Sequence, residues 1–331
     1  MEKVTVGGQA LIEGVMMLSP SKMAVAVRKP DGTIYVSSED RPDAQSIAKW
    51  KKLPFIRGCV AMVDSLSLGM KTITKSAEIA MPEETEEPSR FEKWLAKKTN
   101  KKVEDIVIPF AVVVAVLLSV GLFIVLPTLV SGWMRPLFGH WLWANLFEGL
   151  LRIIIFMGYI ILIARMPDIA RVFMYHGAEH KLVAAYEKTG AADIETAKTC
   201  SRLHPRCGTS FMFLVVFISI LVFSLVGRFE NIFIKVLVRL ALLPVVAGIS
   251  YEALRFLAKH EGAVARALRW PGLQLQRLTT REPDDSMLEV AAASLNAALG
   301  VEYEPEIAAT SCDEVEPCTN CECQNGNVVD S

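Results

Sequence analysis

From Ile106 to Val130 the chain is almost wholly apolar, interrupted only by Pro109, Ser119, Pro127 and Thr128. A helix of that length crosses a hydrocarbon core of roughly 30 Å, and only a helix or a closed barrel can satisfy its backbone there. Further apolar stretches run from Trp141 to Ala164, Phe211 to Val226 and Ile232 to Leu254; the third is short, and the fourth carries Arg239 and Pro244. The sequence therefore predicts an α-helical multi-pass membrane protein with four transmembrane helices.

Basic residues are retained on the cytoplasmic side of a bilayer, so the charge of the flanks orients the spans. Lys93, Lys97, Lys98, Lys101 and Lys102 precede the first span. Arg165, Arg171, Lys181, Lys188, Lys198, Arg202 and Arg206 lie between the second and third, and Arg255, Lys259, Arg266 and Arg269 lie at or after the end of the fourth. The opposite loops hold little beyond Arg135 and Arg228. Both termini and the loop 165–206 are expected in the cytoplasm, with Trp133, Trp141 and Trp143 as an aromatic belt on the far side. A net charge of -1 supplies no field to attract phosphates, which argues against a nucleic-acid partner. The lipid bilayer is the one partner the sequence defines; a homo-oligomer is left open. The first thirty residues lack the apolar core and cleavage site of a signal peptide, so the first span is expected to be the insertion signal.

Outside the membrane domain, 105–257, the chain divides into four parts. Residues 1–80 read as a small cytoplasmic β-rich unit followed by an amphipathic helix. Strands are expected at Gln9 to Met17, Lys22 to Arg28 and Thr33 to Val36, with Asp31-Gly32 turning between the last two. Helices are expected at Pro42 to Lys52 and Val60 to Ile79, the latter amphipathic through Met62, Val63, Leu66, Leu68, Met70 and Ile73. Residues 81–104 form a linker that is acidic from Pro82 to Pro88. In the segment 258–300, Pro271 to Asp285 reads as a polar loop, followed by a helix from Asp284 to Leu299 with Asp285 or Ser286 near its cap. Residues 301–331 form a Cys-rich tail too poor in apolar residues to fold on its own.

The chemistry concentrates in the loop between the second and third spans. On a helix expected from Asp168 to Lys188, His176 and His180 are four apart and Glu179 shares their face. Two imidazoles so spaced suit a divalent metal such as zinc, with Glu179 placed to take a proton from water. The H-x-x-E-H spelling is that of the inverzincin metallopeptidases, although a five-residue pattern recurs by chance and an exposed helix face can carry it idly. His204 and Cys207 at the entry to the third span are further metal ligands, and Glu187 lies on nearly the same helical face as His180. Three of the five histidines fall within this stretch, which favours a metal site.

Other polar groups are less telling. Glu148 and Arg152 are four apart in the second span, and Arg239 and Glu252 lie in the fourth; an interhelical ion pair explains them better than a transport pathway. The paired glycines of Gly7 to Met17 permit close backbone approach, and Glu13 is an additional ligand or base if that strand reaches the His loop. No Gly-Lys-Ser/Thr follows, so the segment is not a P-loop. Cys312, Cys318, Cys321 and Cys323 form a tail cluster that is either a metal knuckle or a set of free thiols.

Taken together, Gly7 to Met17, Arg57-Gly58 with Ser65-Leu66, Tyr175 to Lys181, His204 to Phe211, Arg239 to Glu252, and Pro271 to Gln276 through Thr279 to Pro283 resemble the YqhQ-like family of bacterial membrane proteins. The resemblance spans roughly residues 4 to 300 and leaves the Cys-rich tail outside. It implies a multi-pass plasma-membrane protein of a family described as predicted metal-dependent enzymes, and it carries that role onto His176, Glu179, His180, His204 and Cys207. It supplies no substrate. The expected function is a metal-dependent hydrolase at the cytoplasmic membrane face. The alternative is a scaffold or biogenesis factor holding a structural metal, and a metal-ion carrier is the weaker third reading because it needs ligands deep in the spans.

Overall fold

The structure, a computed structural model, describes residues 4–41, 53–81, 104–225, 231–260 and 262–301. The helix expected from Pro42 to Lys52, the acidic segment Pro82 to Pro88 and the four tail cysteines lie outside the described residues. Four strands, β1 (Gly7–Leu11), β2 (Gly14–Leu18), β3 (Lys22–Arg28) and β4 (Ile34–Asp40), pair as an antiparallel meander in the order β1-β2-β3-β4. The helices are α1 (Ile56–Ala80), α2 (Glu104–Val120), which continues through a π-helical turn at Gly121–Val125 into α3 (Leu126–Met134), α4 (Trp141–Ile163), α5 (Pro167–Thr189), α6 (Ile194–Thr199), α7 (Thr209–Leu225), α8 (Ile232–Lys259), α9 (Ala263–Thr279) and α10 (Asp285–Leu299).

One expected strand proves to be two. The run from Gln9 to Met17 folds back at Ile12-Glu13, so that Leu11 faces Gly14 across a two-residue hairpin. Glu13 takes a positive φ of 50° there, a conformation that the usual Asn-Gly turn signal would have announced. The sheet is covered on both faces, which is why its two central strands read as unbroken apolar runs. Val15, Met17, Ala24 and Ala26 pack against α5 and α10, whereas Leu11, Met16, Val25 and Val27 pack beneath α1. Each buried Val, Leu or Met among these contributes roughly 1.5–3 kcal/mol, and each alanine less. The cap of α10 is Asp284, which accepts from the Met287 N–H at 2.9 Å, one residue before the expected position.

Among the described residues, three helical stretches are long and apolar enough to cross a membrane: Phe110–Trp133, Trp141–Ile163 and Ile232–Leu257. The apolar helix α7 is shorter, with Phe211–Leu225 as its apolar part. Among these helices Glu148 is buried and is the focus of a charge cluster. It accepts from Thr128 at 3.0 Å, from Lys235 at 2.9 Å and from Arg239 at 2.9 Å, and pairs with Arg152 at 3.4 Å. Arg152 also donates to the Phe123 carbonyl at 2.9 Å, inside the π-helical turn. The expected Glu148–Arg152 pair is thus one edge of a cluster joining α3, α4 and α8. Glu252 has a separate partner, Arg57 of α1, at 2.7 Å.

Candidate metal centre

Helix α5 is the spine of the site. Pro167 opens it at a first-turn position, where a missing N–H costs nothing, and Gly190 closes it in the left-handed conformation. Between them it buries Tyr175, Glu179, His180, Leu182 and Tyr186, because the sheet, α10 and α6 press on it from different sides. Gly177 permits the tightest of these contacts. A Cβ there would stand 2.0 Å from the Arg281 carbonyl, so only glycine lets the chain after α9 lie against this helix.

That chain end and the loop before α7 orient both imidazoles. His176 Nδ1 lies 2.8 Å from the Thr279 carbonyl, and His180 Nδ1 lies 2.5 Å from the Arg202 carbonyl. A carbonyl can only accept, so each Nδ1 carries the proton and each Nε2 of the neutral ring presents a lone pair. This is the arrangement that fixes the tautomer of metal-binding histidines. The Nε2 of His176 is 3.2 Å from Cys207 Sγ, and the ligand atoms of His176, His180 and Cys207 all lie within 4.8 Å of one another. The Nε2 of His180 is buried without a hydrogen-bond partner, a costly condition for a polar atom unless a ligand satisfies it. Two imidazole nitrogens and one sulfur at such spacing fit zinc, whose tetrahedral N/S ligands stand about 3.5 Å apart.

Glu179 adjoins the trio, with Oε2 3.4 Å from His180 Nε2. Its other neighbour is β1: the Gly8 N–H donates to the carboxylate, and a Cβ on Gly8 would stand 2.8 Å from Glu179 Cγ and 2.6 Å from the Met16 carbonyl. Burial pushes this carboxyl up to about 7, against the pull of His176 and of the Gly8 N–H. Burial drives His180 down to about 3, aided by His176, so its ring is neutral and free to ligate at physiological pH. Burial raises the Cys207 thiol to about 11, so that it needs a cation to become a thiolate.

The other residues singled out in the sequence fall elsewhere. His204 is adjacent, its ring centroid 5.7 Å from that of His180: its Nδ1 accepts from the Arg206 N–H at 3.4 Å, and its Nε2, buried without a hydrogen-bond partner like that of His180, stands 3.4 Å from Glu187. Glu187 is engaged by Arg206. Glu13 is clamped by Arg171, at 2.5 Å to each oxygen, and by the Tyr175 hydroxyl at 3.2 Å. The close approach expected of the paired glycines is realised at Gly8, whereas Arg202, Gln276 and Thr279 support the site in ways that the sequence reading assigned to none of them. Gln276 is fully buried and binds the His204 backbone in both directions, accepting from its N–H and donating to its carbonyl at 2.9 Å each. The stretch Pro271 to Asp285, expected as a polar loop, is helical as far as Thr279, and a glutamine directly after Leu275 there carries no signal of such a task.

A family model described as "Protein of unknown function (DUF1385)" matches residues 53–301, three quarters of the chain and all of the trio. The chain belongs to that family. Within this YqhQ-like group, the uncharacterized protein YqhQ of Bacillus subtilis (strain 168) is 34% identical over 297 residues, which cover 89% of this chain and 92% of the relative. No solved structure matches this DUF1385 chain. Gly177, Gln276 and Thr279, which hold the histidines in place, also fall within the stretch that the family model matches.

Proposed function

We propose that this protein is a metal-dependent integral-membrane enzyme, a hydrolase working at the cytoplasmic face of the plasma membrane. The observation that carries the reading is the unpartnered, buried Nε2 of His180, aimed with His176 Nε2 at Cys207 while backbone carbonyls hold both Nδ1 atoms. His176, His180 and Cys207 would hold the ion; zinc bound there supplies Lewis acidity. Glu179, with an affinity for protons matched to neutral pH, takes a proton from the attacking water and returns it to the leaving group. The Gly8 N–H holds that carboxylate in position.

The membrane arrangement is part of the same proposal. Four crossings place the start of the first, the end of the second, the start of the third and the end of the fourth on one side. Contacts between elements support this count. Arg281, beside α5, donates to the Ala164 carbonyl at the end of α4, while Ile232 at the start of α8 approaches Gly132 at the far end of α3. The link between these two levels is α7, which supports reading it as a fourth crossing. The sheet, the metal centre and both termini then lie on the side rich in Lys and Arg, the cytoplasm.

A structural metal in a non-catalytic scaffold is the second reading, favoured by the position of Glu179 within 3.4 Å of His180 as a ready fourth ligand. Metal analysis of the purified protein separates the steps. Stoichiometric zinc in the wild type, lost in His176→Ala/His180→Ala, supports the site; equal metal in both ends it. Glu179→Gln should then retain zinc and abolish turnover, whereas a scaffold with Glu179 as fourth ligand should lose affinity.

A further inference from the structure

An apolar cleft of about 600 Å³ opens beside the centre. It is lined by Ala61, Leu66 and Gly69 of α1, Phe211 and Met212 of α7, and Leu254 of α8. Its lining also includes Ser65, Tyr251, Gly208, which adjoins Cys207 in the chain, and Gln9, which adjoins the Gly8 that binds Glu179. The cleft is thus mainly apolar, and two of its wall residues are chain neighbours of residues at the polar centre.

The depth of the cleft follows from how α1 is seated. Phe55 touches Gly248, a Cβ on Gly58 would meet Tyr251, and the Cys59 thiol donates to the Pro244 carbonyl at 3.2 Å. Pro244 is near the middle of the apolar stretch Ile232–Leu257, and Gly248 stands about nine residues, or roughly 13 Å of helical rise, before its end. The first turns of α1 therefore lie at the level of the lipid tails. Their outer surface carries large apolar groups, with Val63 59% exposed, alongside the exposed Asp64, Ser65 and Ser67, while the helix buries Gly58, Gly69, Thr72 and Ser76.

We propose that the cleft takes one acyl chain of a membrane lipid, laid between α1, α7 and α8 with the polar end of the lipid directed to the His176–His180–Cys207 centre. This assignment rests on the metal-hydrolase reading and gives it a substrate class, an acyl lipid. Lateral entry from the bilayer is the geometry that a tail-depth cleft beside a polar site provides.

The test uses full-length protein in nanodiscs of phosphatidylglycerol and phosphatidylethanolamine, with a trace of phospholipid carrying a diazirine on one acyl chain. After irradiation, adducts are mapped by peptide mass spectrometry. At least fivefold enrichment is expected on Met62–Met70 and Phe211–Met212 over the exposed face of α2 at Leu117 and Leu118. Ser65→Trp should remove that enrichment, while Val63→Trp, outside the cleft, should keep it; zinc content should be unchanged in both. Labelling equal to that of α2, or unaltered by Ser65→Trp, overturns the lipid assignment and leaves the metal centre standing. Enrichment in a protein that binds no zinc overturns the hydrolase reading and leaves the acyl site standing.

Discussion

The Nδ1–H of His176 donates to the Thr279 carbonyl at 2.8 Å, joining the end of α9 to the middle of α5. The Arg281 backbone then passes Gly177 so closely that a methyl group has no room. Gly177→Ala should force the chain off the helix, destabilising the protein by at least about 1–3 kcal/mol as overpacking does. Zinc stoichiometry should fall with it. Thermal unfolding and metal analysis in detergent check both, and an unperturbed variant would refute this account of ring orientation.

Zinc binding should release a proton from Cys207, since burial holds its thiol well above the usual range. His180, held neutral by its low affinity for protons, should release none. Between pH 6 and 8 the apparent zinc affinity should therefore rise about tenfold per pH unit. Glu179→Gln is the appropriate background, because it removes a neighbouring carboxyl that titrates within this range. Cys207→Ser should weaken binding by more than the roughly 10–100-fold typical of outer-shell losses. Calorimetric titrations in buffers of differing ionisation enthalpy count the proton directly.

Glu148 faces Arg152, Lys235 and Arg239 within the helical bundle. Glu148→Ala would leave those cations without their shared carboxylate. Removing one member of a buried ionic cluster costs about 3–5 kcal/mol, so the variant should unfold at much lower temperature or fail to accumulate. Arg152→Lys, which keeps charge but loses the bond to Phe123, should be milder. Unfolding followed by tryptophan fluorescence orders the two.

The Arg171 hydrogen bond, with help from the Arg171 charge and Tyr175, holds Glu13 below the ordinary carboxylate value of 4.5. A depressed folded value means that the clamp contributes its full stability above about pH 4.5 and loses it as pH falls through the folded value. Glu13→Gln should therefore be less stable than wild type at pH 7, and the difference should shrink towards pH 3. A constant difference across that range would exclude an ionic clamp.

Much of this fold could be read from periodicity. The helix expected from Asp168 to Lys188 runs from Pro167 to Thr189, and the second apolar stretch runs from Trp141 to Ile163. The β1–β2 hairpin was not legible because Ile12-Glu13 lacks turn residues; its positive φ is sustained by the clamp on Glu13, a tertiary contact across 158 residues. His176 and His180 could be paired from helical spacing alone. That the Cys207 sulfur comes closest to the two imidazoles could not be read from sequence, since it depends on how Gln276 grips the loop backbone.

Helix α9 supplies both the Thr279 carbonyl that sets the His176 ring and the Gln276 amide that sets the loop bearing Cys207. The same helix exposes Val264, Leu268 and Trp270 near its start. One helix, with Pro271 between its two parts, thus carries an outward apolar surface at one end and the groups that set the His176 ring and the Cys207 loop at the other. A displacement of its last turns would carry an imidazole and a thiol with it, so the two candidate positions are tied to a single element.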